Sequence, residues 1–307
     1  MTDECKTTVV TASDANYAWG VLLLAASMRR YGMKEPLLVG AVNWPERLKD
    51  KLRAVGGVAF VDLPGDRRSV TCQKPEMMMH PDVKTPWVSW ADCDGIFIGD
   101  CSDLMLPKSE GEILIRRYSP PPPDFTPENV EVWRRDVGER ETPRLDTRLN
   151  APFISIHRSQ MPFLRHWREQ MAKVLPTDVG IVMARNSPYF QTDESVLGSL
   201  LLFAHDAPEV AATYTMNGST TNGERYFAHF AYNPKPWQMW NGHCLKWYEQ
   251  TMGVVDWLLE RGIAEPREVP FALRRSHESL HRLCAPLAPQ VWRAKKLKRK
   301  LKGWLHV

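Results

Sequence analysis

The sequence predicts an α/β protein built on a mostly parallel sheet. Through the first hundred residues, short apolar runs of strand length alternate with longer helical segments. This alternation is typical of strand–helix–strand units, in which a helix joins parallel strands. Polar residues follow two of the strands, at positions 11–14 and at Asp92 and Asp94. Ligands of such sheets bind beyond the carboxyl ends of the strands, so these polar residues are expected to line one crevice.

Local signals define the elements of the first half. The first helix is strongly apolar and ends at Gly32, a common C-cap residue. The second has Pro45 in its first turn, where proline is favoured. The predicted strands are 8–11, 37–42, 58–61 and 87–90, and the predicted helices are 16–31, 45–55 and 72–80.

The alternating pattern fails over residues 119–148. Four consecutive prolines are followed by a charged segment with one short helix candidate at 128–135. A solvated connector is the first interpretation, and a mobile flap over an active site is the alternative. Beyond this segment the sequence predicts a strand at 153–156 and helices at 159–174, 193–203 and 242–261.

Asp92 and Asp94 lie two residues apart where an apolar run breaks. Residues i and i+2 of an extended backbone point to the same side, so both carboxylates could face one ion. A hard divalent cation takes oxygen ligands and keeps positions open for phosphate oxygens. A solvated turn is the alternative, because Asp also favours turns. The pair alone does not decide between these interpretations.

Composition restricts the class of protein. Of the 307 residues, 43% are hydrophobic and 25% are charged, as in soluble globular proteins. The six cysteines are scattered without a CxxC pair, which argues against a zinc site or a disulfide framework and favours a reducing compartment. The polar N-terminus and the absence of an apolar run near ~20 residues predict a cytoplasmic protein without a signal peptide or spanning helix.

The positive charge is concentrated at the C-terminus. The net charge is +4, but the last fifteen residues hold seven Lys/Arg and no acid, leaving 33 basic and 36 acidic residues in the body. A near-neutral body offers no basic face, so no nucleic-acid partner is expected. Leu297, Leu301, Trp304 and Leu305 follow helical spacing between the cations, which favours binding to an anionic membrane surface. A disordered solubilising tail is the alternative.

Four separated segments carry a family resemblance. They are VVTASDANY at 9–17, WADCDGIFIGD at 90–100, TDESVL at 192–197 and HFAYNPKPW at 229–237. The last matches a His-Phe-x-Gly-x-x-Lys-Pro-Trp signature at the same spacing and is the most specific. Together they resemble the retaining family 8 glycosyltransferases, which include glycogenin and bacterial lipopolysaccharide galactosyltransferases.

The resemblance implies a GT-A-type fold with a Rossmann-like, mostly parallel sheet. It implies transfer of a hexose from a UDP-sugar donor to a hydroxyl of a glycan or lipid-linked acceptor, with retention at the anomeric carbon. A single domain is expected over 1–275, with a nucleotide-sugar half (1–117), a loop-rich connector (118–149) and an acceptor half (150–275). The basic tail at 276–307 would hold the protein peripherally on the inner face of the cell membrane.

The resemblance also implies a divalent-metal site. Asp92, Asp94 and His229 would hold the ion, and a histidine beside carboxylates favours Mn²⁺ over Mg²⁺. Lys235, in a proline-flanked turn, would reach a phosphate oxygen as a point charge. Such groups would stabilise the negative charge that grows on a departing nucleoside diphosphate. A core histidine and a solvated lysine are the alternatives for His229 and Lys235.

Further residues would contact the substrate by their places in the matching segments. Tyr17 could stack on the uracil or belong to the core, and Lys74 could reach the diphosphate or be solvated. Asn150 resembles a sugar-contacting Asn, although its flanking residues differ from the family's Phe-Asn-x-Gly. Asp193 and Glu194 match an Asp-Gln helix start and are the candidate catalytic residues. The strand-end turn adds Thr11, Ala12, Ser13 and Asp14 as substrate-binding candidates.

Two positions depart from the family pattern. Glu194 replaces the usual Gln, so it could act as a nucleophile, stabilise an oxocarbenium-like centre, or simply be an acid favoured by the helix dipole. Tyr232 replaces a Gly, so either the backbone approaches the phosphate less closely or the tyrosine contacts substrate.

The alternatives in function are a nucleotidyltransferase, which would usually carry an early Gly-rich basic loop, and an inactive membrane-associated protein of the same fold.

Overall fold

The computed structural model describes residues 5–65, 68–117, 121–122, 124–212 and 226–304. The central sheet contains β1 (Thr7–Asp14), β2 (Leu37–Val42), β3 (Val58–Leu63), β4 (Trp87–Ala91), β6 (Glu112–Arg117), β7 (Leu149–His157) and β8 (Glu209–Ala212). A separate two-stranded ribbon pairs β5 (Gly95–Phe97) with β9 (Phe227–His229). The helices are α1 (Ala18–Arg30), α2 (Glu46–Val55), α3 (Lys74–Met78), α4 (Pro127–Val137), α5 (Met161–Val174), α6 (Thr192–Phe203), α7 (Tyr248–Glu260), α8 (Glu278–Cys284) and α9 (Ala288–Trp304).

The strand order of the central sheet is β3-β2-β1-β4-β7-β6-β8. Strands β1 to β4 pair in parallel, and β8 pairs in parallel with β6. The exception is β7, which runs antiparallel to both β4 and β6. Because β6 and β7 are consecutive and adjacent, the segment between them need not cross the sheet. The predicted mostly parallel α/β sheet is confirmed.

Helices cover both faces of the sheet. Helix α1 is apolar on every side and packs between the sheet and α7, which explains its near-complete burial. On the other face, α3, α5 and α6 enclose a second apolar cluster. In the part of the chain that the structure describes, no helix has both the length and the apolar character needed to cross a membrane.

The predicted solvated connector is wrong for the part that forms α4. Thr126 caps the start of this helix, because its hydroxyl oxygen accepts a hydrogen bond from the backbone N–H of Asn129 at 3.3 Å. Gly138 ends the helix with φ +75°. Trp133 is fully buried, and its indole N–H donates to the Pro188 carbonyl at 2.9 Å. Because α4 packs on α6, this segment belongs to the folded body.

The described part of the predicted basic tail (276–307) is largely helical. Helices α8 and α9 follow one another through a 3-10 turn, Ala285–Leu287. Leu305 lies outside the described residues, and for Leu301 and Trp304 only the backbone is described. The exposed large apolar side chains in this segment are Leu280, Leu283, Leu287, Val291 and Leu297.

Candidate active site

The turn after β4 lies at the carboxyl edge of the parallel strands. Its first residue, Asp92, donates its backbone N–H to the Pro152 carbonyl at 2.8 Å. The backbone carbonyl of its last residue, Asp94, accepts the Phe230 N–H at 2.8 Å. The ribbon register places Gly95 opposite His229. The β5–β9 pairing therefore brings His229 beside the two aspartates, although it lies far along the chain.

Asp92, Asp94 and His229 form a three-residue cluster. Each offers one ligand atom, and these atoms lie within 4.8 Å of one another. The Nε2 atom of His229 is 3.2 Å from Asp94 Oδ1 and 3.8 Å from Asp92 Oδ2. Carboxylate oxygens with an imidazole nitrogen are a donor set suited to Mn²⁺.

Two lysines hold the other oxygen of each aspartate. Lys74 Nζ lies 3.1 Å from Asp92 Oδ1, which also accepts the Trp90 indole N–H at 2.6 Å. Lys235 Nζ lies 2.6 Å from Asp94 Oδ2. Each carboxylate therefore turns its remaining oxygen toward His229. Partners of this kind orient metal ligands in known sites, so the residues present fit a divalent cation.

The charge of Asp94 depends on its neighbours. Burial alone would raise the pKa of its carboxyl group, but Lys235 and His229 outweigh burial and hold the pKa below its ordinary value. The carboxylate is therefore ionised at neutral pH, as metal binding requires.

Lys74 is almost completely buried and joins three elements. Its ammonium lies 3.0 Å from Asp193 Oδ2, donates to the Ala151 carbonyl at 3.0 Å, and pairs with Asp92. Burial would lower the pKa of Lys74, but the two carboxylates outweigh burial and raise it. Through one hydrogen bond and two ion pairs, Lys74 links the start of α6 to the metal-binding candidates.

Asp193 lies in the first turn of α6 and is buried. The preceding Thr192 adopts φ +41°, an unfavourable conformation for a β-branched residue. Its single O–H lies within hydrogen-bond distance of both the Ile181 carbonyl oxygen (3.0 Å) and Asp193 Oδ1 (3.2 Å). Burial raises the pKa of Asp193 against the opposing effect of Lys74. Thr192 thus lies against one oxygen of the Asp193 carboxylate and Lys74 against the other.

Both carboxylate oxygens of Glu194 accept hydrogen bonds. Oε1 accepts from Arg148 Nη1 at 2.6 Å, and Oε2 accepts from Asn150 Nδ2 at 2.8 Å and from the Ala151 N–H at 3.0 Å. Arg148 is 1% exposed, and the sequence analysis missed it. The available signal was Gly198, where a Cβ would lie 2.9 Å from Arg148 Cγ.

The residues at the end of β1 and in the following turn have different environments. The Thr11 and Ser13 hydroxyls are buried and have no hydrogen-bond partner among the described residues. Ala12 instead packs in the core, and Asp14 accepts the Asn16 N–H at 2.9 Å. Tyr17 packs edge-to-face on Trp237 at 5.6 Å between ring centroids, completing the turn.

The charge of a nearby aspartate affects the ionisation of Tyr17. Its pKa is raised by burial and then by the negative charge of Asp94. Gly20, another residue that the sequence analysis missed, lets α1 approach this region. A Cβ at Gly20 would overlap the Cys93 carbonyl oxygen and lie 2.6 Å from the Trp237 ring. An isolated glycine inside an apolar helical pattern was the signal that could have revealed it.

Tyr232 has a backbone conformation that suits glycine. Its φ is +71°, and its side chain is 71% exposed. Left-handed backbone is costly for residues with a Cβ, which explains physically why a glycine is usual at this position of the signature. The ring packs edge-to-face on His243 at 5.2 Å, and burial with nearby cations lowers the pKa of His243 to about 4.

Comparisons with known proteins find similarity in structure. No family model matches the sequence, and no curated protein matches it. The galactosyltransferase LgtC, solved with donor and acceptor sugar analogs, has a TM-score of 0.52 at 14% identity over 84% of this chain and 96% of that chain. The glycosyltransferase GlyE of Streptococcus pneumoniae TIGR4 has 0.53 at 15%, over 86% and 65%. The bifunctional glycosyltransferase WbbM has 0.52 at 13%, over 85% and 52%. The chain therefore has the GT-A-type fold of these glycosyltransferases, as its sequence resemblance predicted.

Proposed function

We propose that this protein is a metal-dependent retaining glycosyltransferase. It would transfer a hexose from a UDP-sugar to a hydroxyl group of a glycan or lipid-linked acceptor. The observation that carries this proposal is the convergence of Asp92, Asp94 and His229 at the carboxyl edge of the sheet. Two enclosing lysines hold the outer carboxylate oxygens and leave the inner ones facing the histidine. The shared fold supports the same class of reaction.

The diphosphate would bind at this cluster. A bound Mn²⁺ or Mg²⁺ would supply positive charge to the departing diphosphate. Lys235 uses one N–H for Asp94 and one for the Phe230 carbonyl at 2.7 Å. Its third N–H would donate to a phosphate oxygen, because an ammonium group carries three donors. Lys235 would therefore both orient Asp94 and bind the leaving group.

The nucleoside would lie against the end of β1. The buried hydroxyls of Thr11 and Ser13 need hydrogen-bond partners, and nucleotide atoms could provide them. Tyr17 offers a partly buried ring next to this turn, suited to stacking on a base. Asp14 would contribute through the turn that it caps.

The sugar would lie between the metal cluster and the start of α6. Asp193 is joined to Asp92 through Lys74, so it would lie next to the transferred hexose. Its carboxylate could stabilise positive charge at the anomeric carbon. Asn150, whose side chain is positioned by Glu194, would bind a sugar hydroxyl.

The C-terminal helices would hold the protein on the cytoplasmic face of the membrane. Exposed leucines on α8 and α9 lie within a segment rich in Lys and Arg. Apolar contact and attraction to anionic lipid are each weak alone and act together. A lipid-linked acceptor would then be close to the crevice.

A panel of UDP-sugars tests the proposal. One or more should be hydrolysed or transferred with Mn²⁺ and not in excess chelator. Nucleotide transfer to a sugar phosphate, with release of pyrophosphate from UTP, would instead favour the nucleotidyltransferase alternative. UDP binding without turnover of any donor would favour the inactive protein.

A further inference from the structure

We propose that Arg148 and Glu194 form a charge-matched positioning pair, in which Glu194 orients Asn150 and the backbone of β7 and does not attack the sugar. The pairing itself follows from the fold. Its consequence for turnover rests on the proposed glycosyltransferase function.

The contacts of Glu194 argue against a nucleophile. Three donors bind its two oxygens: Arg148 on Oε1, and Asn150 and the Ala151 N–H on Oε2. A carboxylate attacks carbon through an oxygen lone pair, and donation from a guanidinium and two amides reduces its electron density. The same contacts fix the rotamer of Glu194. The group is therefore built to hold its neighbours.

The effect of the pair extends to the metal-binding candidates. Ala151 donates its N–H to Glu194 and offers its carbonyl to Lys74. Lys74 in turn holds Asp92 and Asp193. A shift of Glu194 would therefore move the start of β7 and, through Lys74, the carboxylates of the crevice.

Arg148 supplies the charge that makes a glutamate acceptable in this place. Its guanidinium also lies 3.0 Å from Asp124 Oδ1 and donates to the Gln191 side-chain oxygen. It thereby joins the connector, the start of β7 and the residue before α6. A neutral Gln at position 194, as in the family pattern, would need no such cation, whereas a Glu with a side chain only 12% exposed does. Gly198 leaves room for the arginine side chain.

A double-mutant cycle tests this pair through Arg148→Met, Glu194→Gln and the double variant. We expect Glu194→Gln to keep kcat within about tenfold of wild type, because its one carbonyl oxygen can still accept from Asn150 and the Ala151 N–H, while only the contact with Arg148 is lost. Arg148→Met should lower kcat by about a hundredfold with a smaller change in KM for the donor, because misplaced catalytic groups have effects of this size. The double variant should recover part of this loss, since it no longer leaves the Glu194 charge without its cation.

Arg144→Met provides the matched control. Arg144 is an arginine of the same segment, and it bonds to Glu209 and to the Ala207 carbonyl away from the crevice. This variant should not change kcat. The urea midpoints of all variants, measured in parallel, should show the same coupling between Arg148 and Glu194.

Results of two kinds would overturn the proposal: evidence that Glu194 takes part in the chemistry, and evidence that it is not coupled to Arg148. One is complete loss of turnover in a folded Glu194→Gln, or a glycosyl group covalently trapped on Glu194 and found by mass spectrometry. The other is a double variant with no recovery in kcat and no coupling in the urea midpoints. A wild-type protein that turns over no UDP-sugar would contradict the proposed function instead, and the urea cycle would then decide the pairing alone.

Discussion

The lysines of the crevice and the cations of α9 have opposite environments. Lys74 and Lys235 are 3% and 6% exposed, and both bind carboxylates directly. Arg293 and Lys295 are exposed on a helix that also carries the exposed Leu297. Burying an ammonium group is unfavourable unless a charge and hydrogen bonds compensate for it, whereas an exposed one keeps its water. The crevice is thus a buried polar site whose two lysines are paired with carboxylates, whereas Arg293 and Lys295 of α9 face solvent.

This difference predicts how each region responds to substitution. In the crevice, removing one member of a buried pair leaves its partner charged and unpaired, so effects should be large. On α9, removing a cation leaves no buried charge, so the effect should be confined to surface binding. The following experiments test this contrast from the largest expected effect to the smallest.

Substitution of Asp94 should have the largest effect on turnover. Asp94→Ala removes a candidate metal ligand and the partner of Lys235. We expect kcat for UDP-sugar hydrolysis to fall by at least about a hundredfold, comparable to the loss of one transition-state stabilising group. Circular dichroism should show a native fold. Full activity of this variant, or of the wild type in excess chelator, would refute the metal-dependent mechanism.

Asp193→Asn should have the next largest effect. The substitution keeps the shape of the side chain but removes the negative charge that pairs with Lys74. We expect kcat to decrease strongly while donor affinity changes little, because the group would act mainly on the transition state. Steady-state kinetics with the preferred donor measure both quantities. If Asp193→Asn does not alter kcat, the sugar does not bind at the start of α6.

Tyr232→Gly should raise stability. The backbone at this position has φ +71°, which glycine adopts without the steric cost of a Cβ, about 1 kcal/mol. Differential scanning calorimetry should show a Tm increase of about 2 °C. The control is Tyr31→Gly, because Tyr31 has φ −93° and glycine there adds flexibility without relieving strain. A lower Tm for Tyr232→Gly would mean that contacts of the ring, including that with His243, outweigh the backbone cost.

Deletion of residues 293–307 should have the smallest effect on turnover. These residues hold seven Lys/Arg and no acid, so their attraction to anionic vesicles should weaken as salt screens it over about 8 Å at physiological ionic strength. We expect the truncated protein to lose sedimentation with anionic vesicles and to keep its kcat on a soluble acceptor. Equal vesicle binding by the intact and truncated chains would favour the solubilising-tail interpretation.

The sequence predicted the features that depend on local order. The regular alternation of strand and helix signals along the chain predicted the parallel part of the sheet. The direction of β7 was not predictable, because a single strand carries no sign of its orientation. The family resemblance of the segments that carry Asp92, Asp94 and His229 implied their cluster, which the structure contains.

The buried charges were harder to predict. Arg148 was missed because arginine is usually exposed, and its partners Asp124, Gln191 and Glu194 are 24, 43 and 46 positions away. The burial of Trp133 was not predicted for a similar reason, since the charged residues around it suggested a solvated segment. Contacts between distant segments leave no periodic trace in the sequence.

Isothermal titration calorimetry of UDP with and without Mn²⁺ tests the central claim most directly. Wild-type protein should bind UDP with Mn²⁺ present, and the affinity should fall sharply in excess chelator and in Asp94→Asn. The Arg144→Met control should bind as the wild type does. Equal UDP affinity with and without metal, or unchanged affinity in Asp94→Asn, would contradict a metal-assisted diphosphate site at Asp92, Asp94 and His229.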